Sequence, residues 1–332
     1  MKEIRIGIVG TGVANSIASR FARACAYVDG VRAAGVASRD LDKAARFCAE
    51  NGVDRPYLGV DALVSDPEID LVYVATPHPV HDEVCLAAIR AGKHVLCEKP
   101  MCISAARAEA LFAEAKAHGV FLMEGMWSRF LPNSIRARQW VQDGRIGALR
   151  FIDVNYSFGV DPKTVKPRLV DPSLGGGAMF DLGVYAVEMA SYYAGADPIE
   201  WSSFSVPYCP GSDAGSVLAL RYPGEILATM RVGIHCASPV MMVLYGDKGR
   251  IELPRFFLAS EARLYEGEQL VERHTDPLEQ PEAFKWQIAA VRDYIREGAL
   301  TSPVVPPETT IATARILREC MHRFAPDFYS EE

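Results

Sequence analysis

Apolar positions fall into short unbroken runs through the first part of the chain. "IRIGIVG" (4–10), "VRAAGVAS" (31–38), "LVYVATP" (71–77), "HVLCEKP" (94–100) and "VFLMEGM" (120–126) carry no polar alternation. Between them, apolar positions recur every three or four residues, as in "VANSIASRFARAC", "LDKAARFCAENG", "HDEVCLAAIRAG" and "SAARAEALFAEAKAHG". Runs apolar on both faces and separated by helices predict a parallel sheet covered on both sides, that is, a doubly wound Rossmann-type α/β domain over residues 1–124.

The pattern then changes. "PNSIRARQWVQDG" reads as a linking helix, and the segments from "LRFIDVNYSFG" onward alternate or follow one another closely: "EWSSFSV", "SVLALRY", "ILATMRVGI", "VMMVLYG", "RIEL" and "EARLYEG". They predict an α+β domain over 125–332, built on a large open, mainly antiparallel sheet. One helix, "FDLGVYAVEMASYYAG", interrupts the strands. Two more close the chain and are free to pack on either half. Helices can cover only one face of such a sheet. The other face is expected to meet a second copy, giving a homodimer or a dimer of dimers.

Composition narrows the function. The 332 residues exceed what one hydrophobic core supports, consistent with two domains. A net charge of −7 argues against nucleic acid or an anionic membrane surface as partner. No apolar run has the length of a membrane span, and the first strand begins without a leader-like segment. The eight cysteines are scattered with no C-x-x-C, which points to reduced thiols and a cytoplasmic protein without structural zinc.

Candidate chemistry sits at strand ends. "GIVGTGVAN" places Gly10, Thr11, Gly12, Val13 and Ala14 in the first strand-to-helix turn, where a pyrophosphate meets backbone N–H groups and the helix N-terminus. Asn15 replaces the third glycine of G-x-G-x-x-G, so the turn by itself also suits a loop that binds nothing. The second strand ends in Ser38-Arg39-Asp40. A hydroxyl and a guanidinium suit a 2′-phosphate and favour NADP, with NAD still possible; the alternative is a solvated Arg39 beside a helix-capping Asp40. "VLCEKP" puts Glu98 and Lys99 at the carboxyl edge of a parallel strand, with Pro100 stiffening the turn. Gly175, Gly176 and Gly177 make a flexible approach to Asp181 and Tyr185, which a helix sets on one face at i, i+4. A carboxylate can orient that phenol, although Asp181 as an N-cap and Tyr185 as a core residue fit the spacing equally. His78 and His81, at i, i+3, lack the acids or cysteines of a metal site.

Taken together, "GIVGTG", "ATPHPVHDEVCLAAIRAGKHVLCEKP", "GGGAMFDLGVY" and "YGDKGRIELP" resemble the glucose–fructose oxidoreductase / inositol dehydrogenase (Gfo/Idh/MocA) family over nearly the whole chain. The resemblance implies Lys99, Asp181 and Tyr185 as catalytic residues and places Thr76, Pro77 and His81 along the cofactor. Tyr at 185, where many members have His, and "MEGMWSRFLP" are similar to the dimeric dihydrodiol dehydrogenase and NADP-linked xylose dehydrogenase branches. That similarity implies Trp127 in the substrate pocket. Phe158 and Arg168 are further substrate-side candidates. The expected activity is hydride transfer between nicotinamide and a secondary alcohol or ketone of a sugar, cyclic polyol or dihydrodiol. Two alternatives stand: a non-catalytic NAD(P)-binding regulator of the same fold, and a reductase of an unsaturated or imine substrate.

Overall fold

The computed structural model describes residues 3–12, 16–276 and 282–330. The chain forms two compact units. The first takes Met1–Cys102, Ala106–Trp127 and Glu279–Pro307; the second takes Ile103–Ala105, Ser128–Leu278 and Glu308–Glu332. The helix Lys285–Arg296 therefore belongs with the first unit, although it lies far along the chain.

The first unit holds β1 (Ile4–Val9), β2 (Val31–Ser38), β3 (Arg55–Leu58), β4 (Leu71–Val74), β5 (His94–Glu98) and β6 (Leu122–Gly125). They pair in the order β3-β2-β1-β4-β5-β6, all parallel. Sequence order reverses between β1 and β4, so the loops leaving these two strands flank the point where such sheets bind ligands. β1, β4 and β5 are almost wholly buried because helices cover both faces. β3 escaped the sequence reading: "RPYL" is four residues long, half exposed and at the sheet edge, so it carries no apolar run.

The second unit holds β7 (Leu149–Ser157), β8 (Glu200–Cys209), β9 (Ser212–Tyr222), β10 (Ile226–Gly233), β11 (Met241–Gly246), β12 (Gly249–Pro254), β13 (Glu261–Glu266) and β14 (Gln269–Thr275). Their order is β14-β13-β12-β11-β7-β10-β9-β8. Every pair is antiparallel except β7 with β10. Burial alternates strictly: Ile226, Ala228, Met230 and Val232 face the core, while Leu227, Thr229 and Arg231 face away. The helix Val184–Ala194 packs on the buried face of β7 and β10. On the opposite face Phe204 is 80% exposed, Val206 51% and Phe151 51%. β14 escaped the reading because "QLVERHT" is an exposed edge with little apolar content. Among the described residues no helix is long and apolar enough to cross a membrane.

Candidate active site

In the first unit the turn leaving β1 passes close to the loop leaving β4. Gly10 has φ +110°, and a Cβ there would lie 2.6 Å from the Ala75 carbonyl oxygen, so only glycine fits. Gly12 follows at φ +58°, exposed. Thr11 is half-buried between them; Val13 and Ala14 lie outside the described residues. Ser16 caps the helix Ile17–Cys25, its hydroxyl accepting from the Ser19 N–H at 3.3 Å.

At the end of β2 the Ser38 hydroxyl accepts from the Asp40 N–H at 3.3 Å. The Asp40 carboxylate in turn accepts from the N–H groups of Asp42 (3.0 Å) and Lys43 (3.1 Å), capping the next helix. The acid is thus engaged with the backbone. Arg39 is exposed and makes no ion pair among the described residues.

The loop leaving β4 carries Thr76 and Pro77. The Thr76 hydroxyl is buried without a hydrogen-bond partner among the described residues, a costly state for a polar group in a protein that has nothing to bind there. His81 joins this loop to the one leaving β5. Its Nε2 lies 2.8 Å from the Thr76 carbonyl oxygen and its Nδ1 3.0 Å from that of Pro100. Burial pulls its pKa down, while these carbonyls act the other way. With both ring nitrogens beside main-chain oxygens, His81 sits between the loops leaving β4 and β5. At the end of β5 the Glu98 carboxylate accepts from the Tyr73 hydroxyl at 2.5 Å; just beyond it Lys99 is buried, and the Lys99–Pro100 bond is cis. The Met101 N–H donates to the Glu124 carboxylate at 2.8 Å, fixing the turn that follows. Trp127 is 2% exposed, its ring 5.1 Å from that of Phe284.

A glycine turn that admits no side chain, an orphaned hydroxyl on the facing loop and an arginine without an ion pair at the end of β2 fit a dinucleotide: backbone N–H groups for the pyrophosphate, a donor beside it and a cation at the ribose end.

The second unit carries Asp181 and Tyr185. The sequence predicts one regular helix here. The structure has a π-helical turn, Met179–Gly183, that runs into the helix Val184–Ala194. Such turns recur at functional sites. The N-terminus of this turn is held by Asp213, which sequence reasoning missed. Both of its carboxylate oxygens lie 3.1 Å from the Met179 N–H, and it also accepts from the Ser216 hydroxyl at 2.7 Å. Burial pushes its pKa up against these hydrogen bonds. A lone acid heading the apolar strand "SDAGSVLALRY" is the only trace of it in the sequence.

The three glycines are not a flexible approach. A Cβ on Gly176 would sit 2.7 Å from the backbone nitrogens of Val170 and Asp171; one on Gly177 would sit 2.4 Å from the Asp213 carboxylate. Gly176 and Gly177 are small because the 167–177 segment packs tightly on itself and on Asp213, and Gly175 holds a left-handed φ of +71°. Arg168, exposed on this segment, reaches to 3.6 Å from the Asp181 carboxylate. Tyr185 is 6% exposed, its ring 6.0 Å from Tyr156 and 5.9 Å from Phe257. Phe158, just past β7, is 6.5 Å from Tyr156.

Comparison with known proteins decides the family. Residues 4–126 match an oxidoreductase family with an NAD-binding Rossmann fold, and residues 134–252 match the GFO/IDH/MocA C-terminal domain. A trans-1,2-dihydrobenzene-1,2-diol dehydrogenase of Mus musculus is 32% identical over 326 residues, 95% of each chain. The chain belongs to the Gfo/Idh/MocA family. As a Gfo/Idh/MocA protein it is an NAD(P)-binding oxidoreductase. The enzyme of the same name from Xenopus laevis is 32% identical over 294 residues, 87% of this chain and 88% of that one. Among solved structures of the fold, an aldose–aldose oxidoreductase from Caulobacter crescentus in complex with glycerol superposes with a TM-score of 0.84 at 26% identity, over 98% of each chain. A levoglucosan dehydrogenase complex with NADH and levoglucosan gives 0.87 at 17% identity over the same 98% of each chain, a likeness of Gfo/Idh/MocA fold alone.

Proposed function

We propose that this Gfo/Idh/MocA protein is an NADP-preferring dehydrogenase acting on a secondary alcohol of a sugar, a cyclic polyol or a dihydrodiol. The observation that carries the reading is Tyr185: a buried phenol four residues after Asp181, on a helix whose leading turn is anchored by the Asp213 carboxylate. A phenol ordinarily ionises near pH ~10, so proton exchange at neutral pH needs a cation that favours the phenolate. Lys99 is assigned that role. Tyr185 takes the proton of the substrate hydroxyl in oxidation and returns it in reduction, and Asp181, steadied by Arg168, orients the phenol. When bound, the nicotinamide supplies hydride exchange at the substrate carbon. Gly10, Thr11, Gly12, Ser38, Arg39, Thr76 and Pro77 are the residues that would hold the dinucleotide, with Arg39 and Ser38 turning the preference to NADP. Trp127 and Phe158 are apolar candidates on the substrate side. The substrate class follows the named relatives, which act on dihydrobenzenediols, and the aldose-converting structure.

The test is an absorbance screen at the reduced-nicotinamide band with sugars, inositols and dihydrodiols, each with NADP and NAD. Turnover of at least one cyclic or sugar alcohol, faster with NADP, is expected. Tight NADP binding with no turnover across the panel would replace this reading with a regulator that binds the dinucleotide.

We also infer a homodimer, alone or paired into a tetramer, formed through the open face of the second sheet. Phe151, Phe204, Val206, Val217 and Leu227 are exposed apolar side chains on that face, which a twofold copy would bury on itself. Light scattering behind a sizing column that returned 36.4 kDa at micromolar concentration would refute it.

A further inference from the structure

Tyr156 is the one buried phenol beside the reactive pair that the proposed chemistry does not use. It lies on β7, on the inward face of the sheet, where Ile152 and Val154 are its buried neighbours in the pleat. Its ring is fixed from several sides. Phe257 stacks on it at 4.6 Å with planes 10° apart, Phe256 meets it edge-on at 5.7 Å, and Tyr185 lies 6.0 Å away. Such stacking leaves the ring one orientation and so fixes where its hydroxyl points. That hydroxyl makes no hydrogen bond among the described residues. Burial raises its pKa, followed by the negative charges that Tyr185 and Asp181 can carry, with Arg255 acting in the opposite direction. Tyr156 therefore stays a neutral phenol at working pH, close enough to the pair to feel its charge. Unlike the hydroxyls of Tyr193 and Tyr222, that of Tyr156 is not sealed from solvent, so it remains open to a ligand.

We propose that Tyr156 is a specificity-determining residue whose hydroxyl hydrogen-bonds the substrate hydroxyl on the carbon adjacent to the one oxidised. The inference rests on Tyr185 being the proton carrier and deepens that reading: the enzyme selects vicinal diols over single alcohols. Phe257, stacked beneath Tyr156, offers an apolar face to the ring that carries the diol, while Tyr156 and Tyr185 each take one hydroxyl. A neutral phenol both donates and accepts, so it serves either configuration of the second hydroxyl.

The experiment measures the dissociation constants of trans-1,2-cyclohexanediol and cyclohexanol by calorimetry, for the wild-type full chain and Tyr156→Phe, each saturated with NADP. Tyr156→Phe keeps the stacked ring, and an unaltered Tm verifies the fold. The wild type should bind the diol tighter by roughly three- to tenfold, the size of one neutral hydrogen bond, and Tyr156→Phe should bring the two constants together. A packing role would move both constants alike and leave their ratio. A wild type with no preference, no binding of the diol, or a preference that survives in Tyr156→Phe would each overturn the proposal. Turnover is scored separately: a ratio that collapses as expected in a protein that oxidises neither compound would leave Tyr156 as the reader of the second hydroxyl and overturn the dehydrogenase reading instead.

Discussion

The two candidate half-sites are built in opposite ways. In the first unit the groups proposed to meet a ligand belong to loops: a glycine turn after β1, Arg39 after β2, Thr76 after β4, Lys99 after β5. Two of these are left with nothing to do inside the protein, since Arg39 has no ion pair and the Thr76 hydroxyl no partner among the described residues. In the second unit the proposed reactive side chains, Asp181 and Tyr185, sit on a helix and its leading turn, held from several directions. Asp213 holds its first turn, Gly176 and Gly177 leave no slack in the approach, and Tyr156 and Phe257 wall Tyr185. Open polar groups on loops suit a ligand that binds, leaves and carries its own chemistry. A clamped side chain suits proton transfer, where misplacement by an ångström is costly. Substitutions of the proton-transfer pair and its supports should therefore strike rate and stability, and those in the proposed dinucleotide loops should strike affinity.

Tyr185→Phe should show this most strongly. It removes one hydroxyl and leaves the ring in place, so kcat should fall by about 10²- to 10⁴-fold, the usual share of general acid–base catalysis, with the NADP dissociation constant unmoved. Near-normal turnover by a correctly folded variant would remove Tyr185 from the chemistry and blur the contrast between the two half-sites.

Arg39→Ala tests the first unit by its own measure. A charge-assisted contact to a 2′-phosphate is worth ~1.5–3 kcal/mol, so NADP should bind roughly ten- to a hundredfold more weakly while NAD changes little. Titrations with both dinucleotides decide it, and equal losses would show that Arg39 does not read the 2′-phosphate. The geometry favours a difference, because Asp40, the acid that would otherwise serve a ribose, is spent on the N-cap of its helix.

Asp213→Ala should cost stability rather than cofactor affinity. It leaves the buried Met179 N–H without its acceptor, a loss of about 1–3 kcal/mol, read as a lower unfolding midpoint with the NADP constant unchanged. Asp213→Asn keeps one acceptor oxygen and should lose less. Equal destabilisation by the two variants would mean that the site needs a charge and not merely an acceptor.

The same contrast explains which parts of the molecule are legible in its sequence. The first half-site is written in local signals: glycines that a turn demands, "EKP" at a strand end, "SRD" after β2. "GIVGTG" and "VLCEKP" mark strand-end loops by local signals, although neither by itself says that its loop binds a ligand. The second half-site depends on contacts between distant segments. Asp213 lies 34 residues from Met179, a separation that leaves no periodicity to detect. Phe257 reaches Tyr185 from beyond β12, and Tyr156 reads in sequence as an ordinary inward strand residue. The π-helical turn leaves no mark either, because its apolar spacing suits a regular helix equally well. Both sheets are legible where their strands are apolar; β3 and β14 are lost because edge strands need no buried face.

Thr76→Val makes the smallest change and separates the two half-sites by sign. Valine matches threonine closely in shape and removes only the hydroxyl. In the protein without dinucleotide that hydroxyl is buried and unpartnered, so its desolvation counts against folding. Removing it should leave the unfolding midpoint equal or slightly higher. With dinucleotide present, the variant lacks one hydrogen bond of ~0.5–1.5 kcal/mol, so NADP and NAD should both bind roughly three- to tenfold more weakly, without discrimination between them. A structural hydroxyl would behave the other way, with stability falling and affinity intact. Thermal melts of the protein alone, read beside titrations with both dinucleotides, distinguish the two outcomes. A lower midpoint with unchanged affinity would move Thr76 out of the binding loop and leave Gly10 and Gly12 to hold the phosphates without it.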